Sequence, residues 1–354
     1  MKRALVLLSC CAAATVLACE SAQPRSREPV RQRRPTVVAW DTLWMRGGPA
    51  DTLLLMPLDV VANDDRVYVL DGGGKRVVAL RADDGALAWV VGGAGGGPQE
   101  FAAPTALTLT PAGEVLVADH QNARISVIDP AGRVTGHIPM REFAYAQGIC
   151  ALEDGDLVVT TMEAERPVIR LSRDGVIKQR VDLPWPELRE TAPLARQAFL
   201  SSTDDFRSCA LALATGRGFA VYQGDDFTTA SDYVEAVAAP EIEVSQRGTD
   251  AGKSTSTRMR RPDIAATDVS AGGGTLAVSF KGKSAAAGRI IDHYDLRTGL
   301  YAESYEFTAP ITSLARSRNR YLLLHYSAGY PTLVAAVPAA RAADGTEQRI
   351  SANR

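Results

Sequence analysis

Between Leu107 and Ile138 the chain reads LTLTPAGEVLVADHQNARISVIDPAGRVTGHI: strand, tight turn, strand, polar loop, strand, tight turn, strand. Weaker copies lie on both sides. A unit of four short strands recurring at roughly 40–60 residues constrains the fold more than any other feature here. Such a unit cannot bury its apolar faces alone and packs against further copies, which is how the blades of a β-propeller form a ring.

The most regular marker is a strand pair around a Gly- or Asn/Asp-containing turn. It occurs at 59–71, 107–119, 149–161, 209–223, 267–280 and 313–326. Each second strand alternates or runs apolar, as expected of strands packed between blades. Third strands are predicted at Val77–Leu80, Arg124–Ile128, Val168–Leu171, Tyr233–Val237, Arg289–Tyr294 and Thr332–Val337. Turns at Asp84-Gly85, Ala131-Gly132, Asp174-Gly175 and Thr298-Gly299 lead into fourth strands such as Leu87–Val91 and Val134–Ile138. The sixth unit stops after its third strand, while Val37–Met45 forms an apolar strand with no unit of its own. If that strand completes the last blade, the ring closes without an open seam. The expectation is therefore an all-β, six-bladed propeller over 36–338, with four-stranded antiparallel blades and a disordered tail at 339–354. A seventh blade would have to occupy Pro186–Arg207 or Ser245–Arg261, and neither shows a strand pair. The first reads as a loop with a helical turn around Leu194–Phe199, the second as a polar, basic, mobile excursion.

A chain of 354 residues fits one such ring, and 46% hydrophobic residues supply its core. The net charge of −2 implies no general affinity for nucleic acid. A monomer is expected.

The N-terminus carries more information. Lys2 and Arg3 precede an apolar run, Ala4 to Leu17, too short to span a bilayer and typical of a secretory signal. Its end, Val16-Leu17-Ala18-Cys19, resembles the lipobox of bacterial lipoproteins. That resemblance implies a signal peptide over 1–18 and lipidation of Cys19, although Val-Leu-Ala also suits ordinary secretory cleavage. Residues 19–35 read as a disordered basic tether, with five arginines between Glu20 and Pro35. Those arginines could lie against anionic headgroups, and a merely soluble linker is the plainer reading. Glu20 stands where inner-membrane lipoproteins usually have Asp, so the implied address is the cell envelope, periplasm-facing, at the outer membrane. Cys10 and Cys11 leave with the signal. Cys150 and Cys209 remain, both early in what reads as the innermost strand of consecutive blades. Equivalent points on neighbouring blades exceed the reach of a disulfide, so two buried free thiols are expected.

Residues 89–138 resemble an NHL repeat through Gly97-Pro98, Phe101, Pro104, Gly113, Val117-Ala118-Asp119, Asn122, Arg124-Ile125, and Asp129 with Gly132. The likeness is partial over 57–89 and 147–176 and faint beyond about residue 200. The whole chain resembles the six-bladed, NHL-like propeller lipoproteins of bacterial envelopes, which implies fold and compartment more than activity.

Asp119, Asn122 and Arg124, with Asp71 in the first unit, read as groups that bond loop backbone and pair across the blade. Gly92–Gly97 leads to Pro98 and another strand instead of a helix, so it is a connection and not a phosphate cradle. His120, His137, His293 and His325 have no metal-ligand spacing. Turns between second and third strands, and connections into each innermost strand, gather on the face where propellers usually bind ligands. The possible ligand-binding residues there are His120, Glu163, Asp225, Asp226, Lys281 and His325, alongside Lys75, Gln121, Glu165, Arg166, Asp204, Asp205, Arg207, Asp268 and Lys283. The acidic pairs 204–205 and 225–226 could hold Ca²⁺ with loop carbonyls, against the plainer reading of a solvated loop. Propeller lactonases and amidating lyases use calcium or zinc sites, but neither ligand set can be placed residue by residue. Three functions follow. The first is a lipid-anchored module binding or scaffolding a protein, peptide or glycan at the loop face. The alternative is a metal-dependent hydrolase or lyase at the mouth of the axial channel, with Ca or Zn. The third is an inert structural module.

Overall fold

The computed structural model describes residues 33 to 339, apart from positions 34, 37, 144, 164, 192, 239, 250, 251, 261, 262 and 285. The expected signal peptide, Cys19, most of the tether and nearly all of the tail lie outside the described residues. Six sheets built on four antiparallel strands follow one another along the chain. Blade one is Pro57–Ala62, Arg66–Asp71, Arg76–Arg81 and Leu87–Gly92, and blade two Pro104–Leu109, Val115–Asp119, Arg124–Ile128 and Val134–Pro139. Blade three is Ala146–Ala151, Leu157–Thr161, Val168–Leu171 and Ile177–Val181. Blade four is Ala198–Ser202, Ser208–Leu213, Gly218–Gln223 and Asp226–Asp232, and blade five Ala266–Gly272, Thr275–Phe280, Ile290–Asp295 and Tyr301–Glu306. Blade six has Ile311–Ser317, Arg320–Ser327 and Tyr330–Pro338 from its own unit. Its fourth strand is Trp40–Gly47, antiparallel to Tyr330–Pro338, so the N-terminal strand closes the ring as expected.

The core lies between blades, with one apolar cluster at each of the six seams. The two-residue period of a strand explains this arrangement. In Arg66–Asp71, Val67 and Val69 pack towards blade six, while Tyr68 and Leu70 pack towards blade two. A strand buried on both faces is apolar along most of its length, which is why these strands read as near-continuous hydrophobic runs.

Ahead of the closing strand, Pro35–Thr36 adds a short parallel edge to blade five. Arg33 makes a two-pronged ion pair with Asp292, donating from Nε (2.9 Å) and Nη2 (2.7 Å). It also bonds Glu235 and lies 4.7 Å above the ring of Phe280. One tether arginine is thus internal to the fold.

Blade four departs from expectation. Its innermost strand is Ala198–Ser202, which pairs with Ser208–Leu213, and the helical turns fall earlier, at Pro186–Glu190 and Pro193–Arg196. The SCALAL strand is therefore second in its blade, and Tyr233–Val237 is not a strand of it. The frame was illegible because Ala198–Ser202 is only partly buried beyond its first residue and lacks an apolar run. The shift also changes the cysteines. Cys150 on the innermost strand of blade three meets Cys209 on the second strand of blade four at a Cα separation of 6.0 Å, and they form a disulfide instead of two free thiols. The segment expected to be a mobile excursion is a two-stranded hairpin, Glu241–Thr249 with Gly252–Arg260.

Candidate functional site

Strands alternate direction, so second-to-third turns and outer-to-inner connections share one face of the ring. Innermost-to-second and third-to-outer turns share the other. On the first face, two long connections flank blade four. The one before it carries the two 3₁₀ turns, each started by a proline (Pro186, Pro193) whose fixed φ suits a first helical position. The one after it carries the hairpin. Between them lies a cleft of about 500 Å³, lined by Leu188, Ala195, Tyr233, Val234, Val237 and Pro240 among others. Its rim is Arg217, which pairs with Asp232 at 2.7 Å and with Glu187. Tyr233 donates to the carbonyl of Leu213 (2.8 Å), and burial pushes its phenol well above the ordinary range. The arrangement offers an apolar floor with a charged lip, suited to an apolar side chain next to a polar backbone.

The candidate residues divide between the two faces. His120, Glu163, Lys281 and His325 do lie at the first face, but on blades two, three, five and six. His120 packs against Tyr145 with ring centroids 4.7 Å apart. Glu163 pairs with Arg180. Lys281 is exposed, and Lys283 pairs with Asp263 at 2.6 Å. His325 is buried beside Phe307, its Nδ1 without a hydrogen-bond partner among the described residues. Lys75, Gln121, Glu165 and Arg166 belong to turns of this face.

Asp225 and Asp226 are on the opposite face, as are Asp204, Asp205 and Arg207. One strand of frame shift in blade four reverses strand direction and carries every turn to the other end. There Asp225 accepts from Arg170 (2.8 Å), Asp226 caps the N–H of Phe227 (2.7 Å) and Asp204 accepts from the N–H of Gly273 (2.6 Å). Asp119 accepts from the N–H groups of Ala102 and Ala103 and from Asn122 (2.6 Å), and Arg124 donates to the carbonyl of Glu100 (2.8 Å). Asp71 does the same for Leu55 and Met56, so this motif is blade architecture. Among the described residues, no group of three or more His, Cys, Asp or Glu could hold a metal ion.

Asp268 lines the axial channel together with Asp59, which was absent from the candidates. Both face a cavity of about 550 Å³ that opens at the second face. Innermost strands of neighbouring blades do not share a ladder, so their N–H groups need other acceptors. Asp59 accepts from the N–H of Leu107 on blade two (3.0 Å), and Asp268 from the N–H of Leu314 (2.7 Å) and the hydroxyl of Ser313 (2.6 Å) on blade six. A signal was present: LDVVA and TDVSA repeat the aspartate at one register, each after a bulge. Burial, then the Asp268 carboxylate, pushes Asp59 up to about 8; burial pushes Asp268 up to about 6.

A raised carboxyl pKa means the folded state keeps a proton that the unfolded chain has released. The stability so gained is complete below the ordinary carboxylate pKa and lost as pH rises through the raised value. Between pH 6.5 and 9 the unfolding free energy of the wild type should therefore fall, by about 1 kcal/mol after allowing for channel water. Urea titrations at the two pH values measure this, and Asp59→Asn should flatten the difference. A wild-type stability that is constant or rises across that interval would contradict it.

No family model matches the chain. NHL repeat-containing protein 3 of Homo sapiens is 41% identical over 66 residues, 18% of this chain and 19% of that protein. The match thus spans about a fifth of that relative's length. Among solved structures, a putative exported protein of Bacteroides fragilis superposes with a TM-score of 0.56 at 9% identity, covering 89% of this chain and 98% of the other. The WD40 repeats of RRP9 give 0.52 at 9% identity, covering 84% and 100%. At these identities the structural likenesses concern the fold alone. The chain is a six-bladed β-propeller, and a part of it is similar to an NHL repeat-containing protein. Such a ring is compatible with a binding or scaffolding module.

Proposed function

We propose that this propeller is lipid-anchored through Cys19 in the bacterial envelope and binds an extended protein or peptide segment at its loop face. The observation that carries the binding half is the apolar cleft beside blade four, framed by the 3₁₀ turns and by Tyr233, Val234, Val237 and Pro240 of the segment that leads into the hairpin. Rigid rings commonly carry recognition in the connections they hold in place. An apolar floor of Leu188, Ala195 and Val237 favours a peptide side chain over a glycan, whose surface is mostly hydroxyl. The lipobox-like Val16-Leu17-Ala18-Cys19 supports the anchor.

Panning a displayed random-peptide library against the purified protein tests the first half. Selected peptides should carry an apolar anchor residue and lose about tenfold or more in affinity to Val237→Arg, as expected for a filled pocket. Exchange of Val176 on the opposite face should leave affinity unchanged. Selected peptides indifferent to the cleft variant would refute this site. For the anchor, radioactive palmitate should label the wild type and not Cys19→Ala; an unlabelled wild type ends that half of the reading.

A further inference from the structure

Eleven large apolar side chains are well exposed among the described residues, and five belong to one corner of the loop face where blade six meets blade one. They are Leu55 (53% exposed), Met56 (51%), Leu58 (44%), Tyr326 (40%) and Tyr330 (47%). Scattered surface apolar residues are ordinary, but a shared corner is not. The corner is built. The N–H groups of Leu55 and Met56 both donate to Asp71, at 3.1 and 2.8 Å, which fixes their turn. The adjoining Gly72-Gly73 turn packs closely against these side chains: a Cβ on Gly72 would come within 2.5 Å of the Leu58 side chain, and one on Gly73 within 3.0 Å of Leu55 and Met56. Burial and the neighbouring Asp71 carboxylate push the Tyr326 phenol up, which ties the blade-six turn to the same place. Lys75, on that glycine turn, has no ion-pair partner among the described residues.

We propose that this corner sits in the headgroup layer of the membrane that holds Cys19, an assignment that rests on the lipid-anchored reading above. Tether length argues for it. Cys19 precedes Arg33 by 14 positions, a reach of at most about 50 Å, while a domain of this size is itself about 50 Å across. The ring is therefore confined to the membrane surface. Arg33 is held on blade five by Asp292 and beside blade four by Glu235, two seams from the corner, and the reach of the tether spans that separation. Protruding turns bearing Leu, Met and Tyr with an adjacent unpaired lysine match an anionic interface, where apolar side chains enter the acyl boundary and a cation meets the headgroups. Blade four stands opposite blade one in the ring. A tilted contact through this corner leaves the cleft open.

The test places an environment-sensitive nitrobenzoxadiazole probe on Met56→Cys or, as control, on Val176→Cys at the opposite face. The acylated protein is reconstituted in phosphatidylethanolamine–phosphatidylglycerol vesicles, with acylation and the native disulfide leaving one free thiol. Emission at Met56 should shift to the blue and be quenched by lipid-borne nitroxides, while emission at Val176 stays aqueous. Acylated protein that floats with the vesicles but shows an aqueous Met56, or equal responses at both sites, overturns the proposal and leaves the anchor standing. If intact-mass analysis finds no lipid, the anchor reading falls, and the same probe in the Cys19→Ala chain decides the corner: entry into the vesicle supports it, an aqueous signal ends it.

Discussion

Exchanging Arg33 for alanine should lower the unfolding free energy by about 3–5 kcal/mol, the usual cost of stranding one partner of a buried ion pair. Asp292 is fully buried in the third strand of blade five and accepts Nε and Nη2 of Arg33, with Ser304 donating at 2.6 Å. Burial already pushes its carboxyl upward, opposed by the guanidinium. Without Arg33 the carboxyl's folded-state pKa rises further. The variant's deficit should then shrink at low pH, where the stranded group is protonated in both states, and grow as pH rises through neutrality. Urea unfolding followed by circular dichroism measures this. Asp292→Asn in the Arg33→Ala background should recover more than half of the loss, because the buried charge has gone. A single variant within 1 kcal/mol of wild type would show that the N-terminal segment does not pin the ring.

Removing the Cys150–Cys209 disulfide by the double exchange to alanine should cost about 4 kcal/mol, the chain-entropy value for a closed loop of this length. The bond spans 59 residues and joins the innermost strand of blade three to the second strand of blade four. Its surroundings are apolar: Leu152, Val158, Leu211 and Leu213 share the seam. Thermal unfolding of the oxidised protein, with and without reductant, gives the comparison. Reductant should lower the midpoint of the wild type and leave the double variant unchanged. Equal midpoints for the reduced and oxidised wild type would mean that packing at this seam, and not the crosslink, limits stability.

Most of the ring could be read from residues because its grammar is local. The apolar runs Val67–Leu70 and Val115–Ala118, the turns at Asp84-Gly85 and Ala131-Gly132, and the unpaired strand before the first unit each act within a few residues. Their sum specifies six blades and a closing strand. Blade four failed that local reading. Ala198–Ser202 follows two proline-started 3₁₀ turns and is only partly apolar. It becomes a strand because Ser208–Leu213 offers it a ladder, and because the hydroxyl oxygens of Ser201 and Ser202 accept from the N–H groups of Ala271 and Ala151 on neighbouring blades. Both conditions depend on neighbours distant in sequence.

The candidate site suffered from the same source. One strand of frame error sent Asp204, Asp205, Asp225 and Asp226 to the wrong face, since alternating strands put alternate turns at opposite ends. His120, Glu163, Lys281 and His325 were placed on the correct face, yet they belong to four different blades. The cleft of Leu188, Tyr233 and Val237 is assembled from the two connections on either side of blade four. The sequence by itself determined the blade count, the strand that closes the ring and the roles of Asp71 and Asp119, because each rests on neighbouring residues. Only the tertiary structure decided the disulfide, the Arg33–Asp292 pin, the aspartates of the channel and which turns share a face. Those depend on how blades meet around an axis, and contacts across the ring leave no periodic trace along the chain.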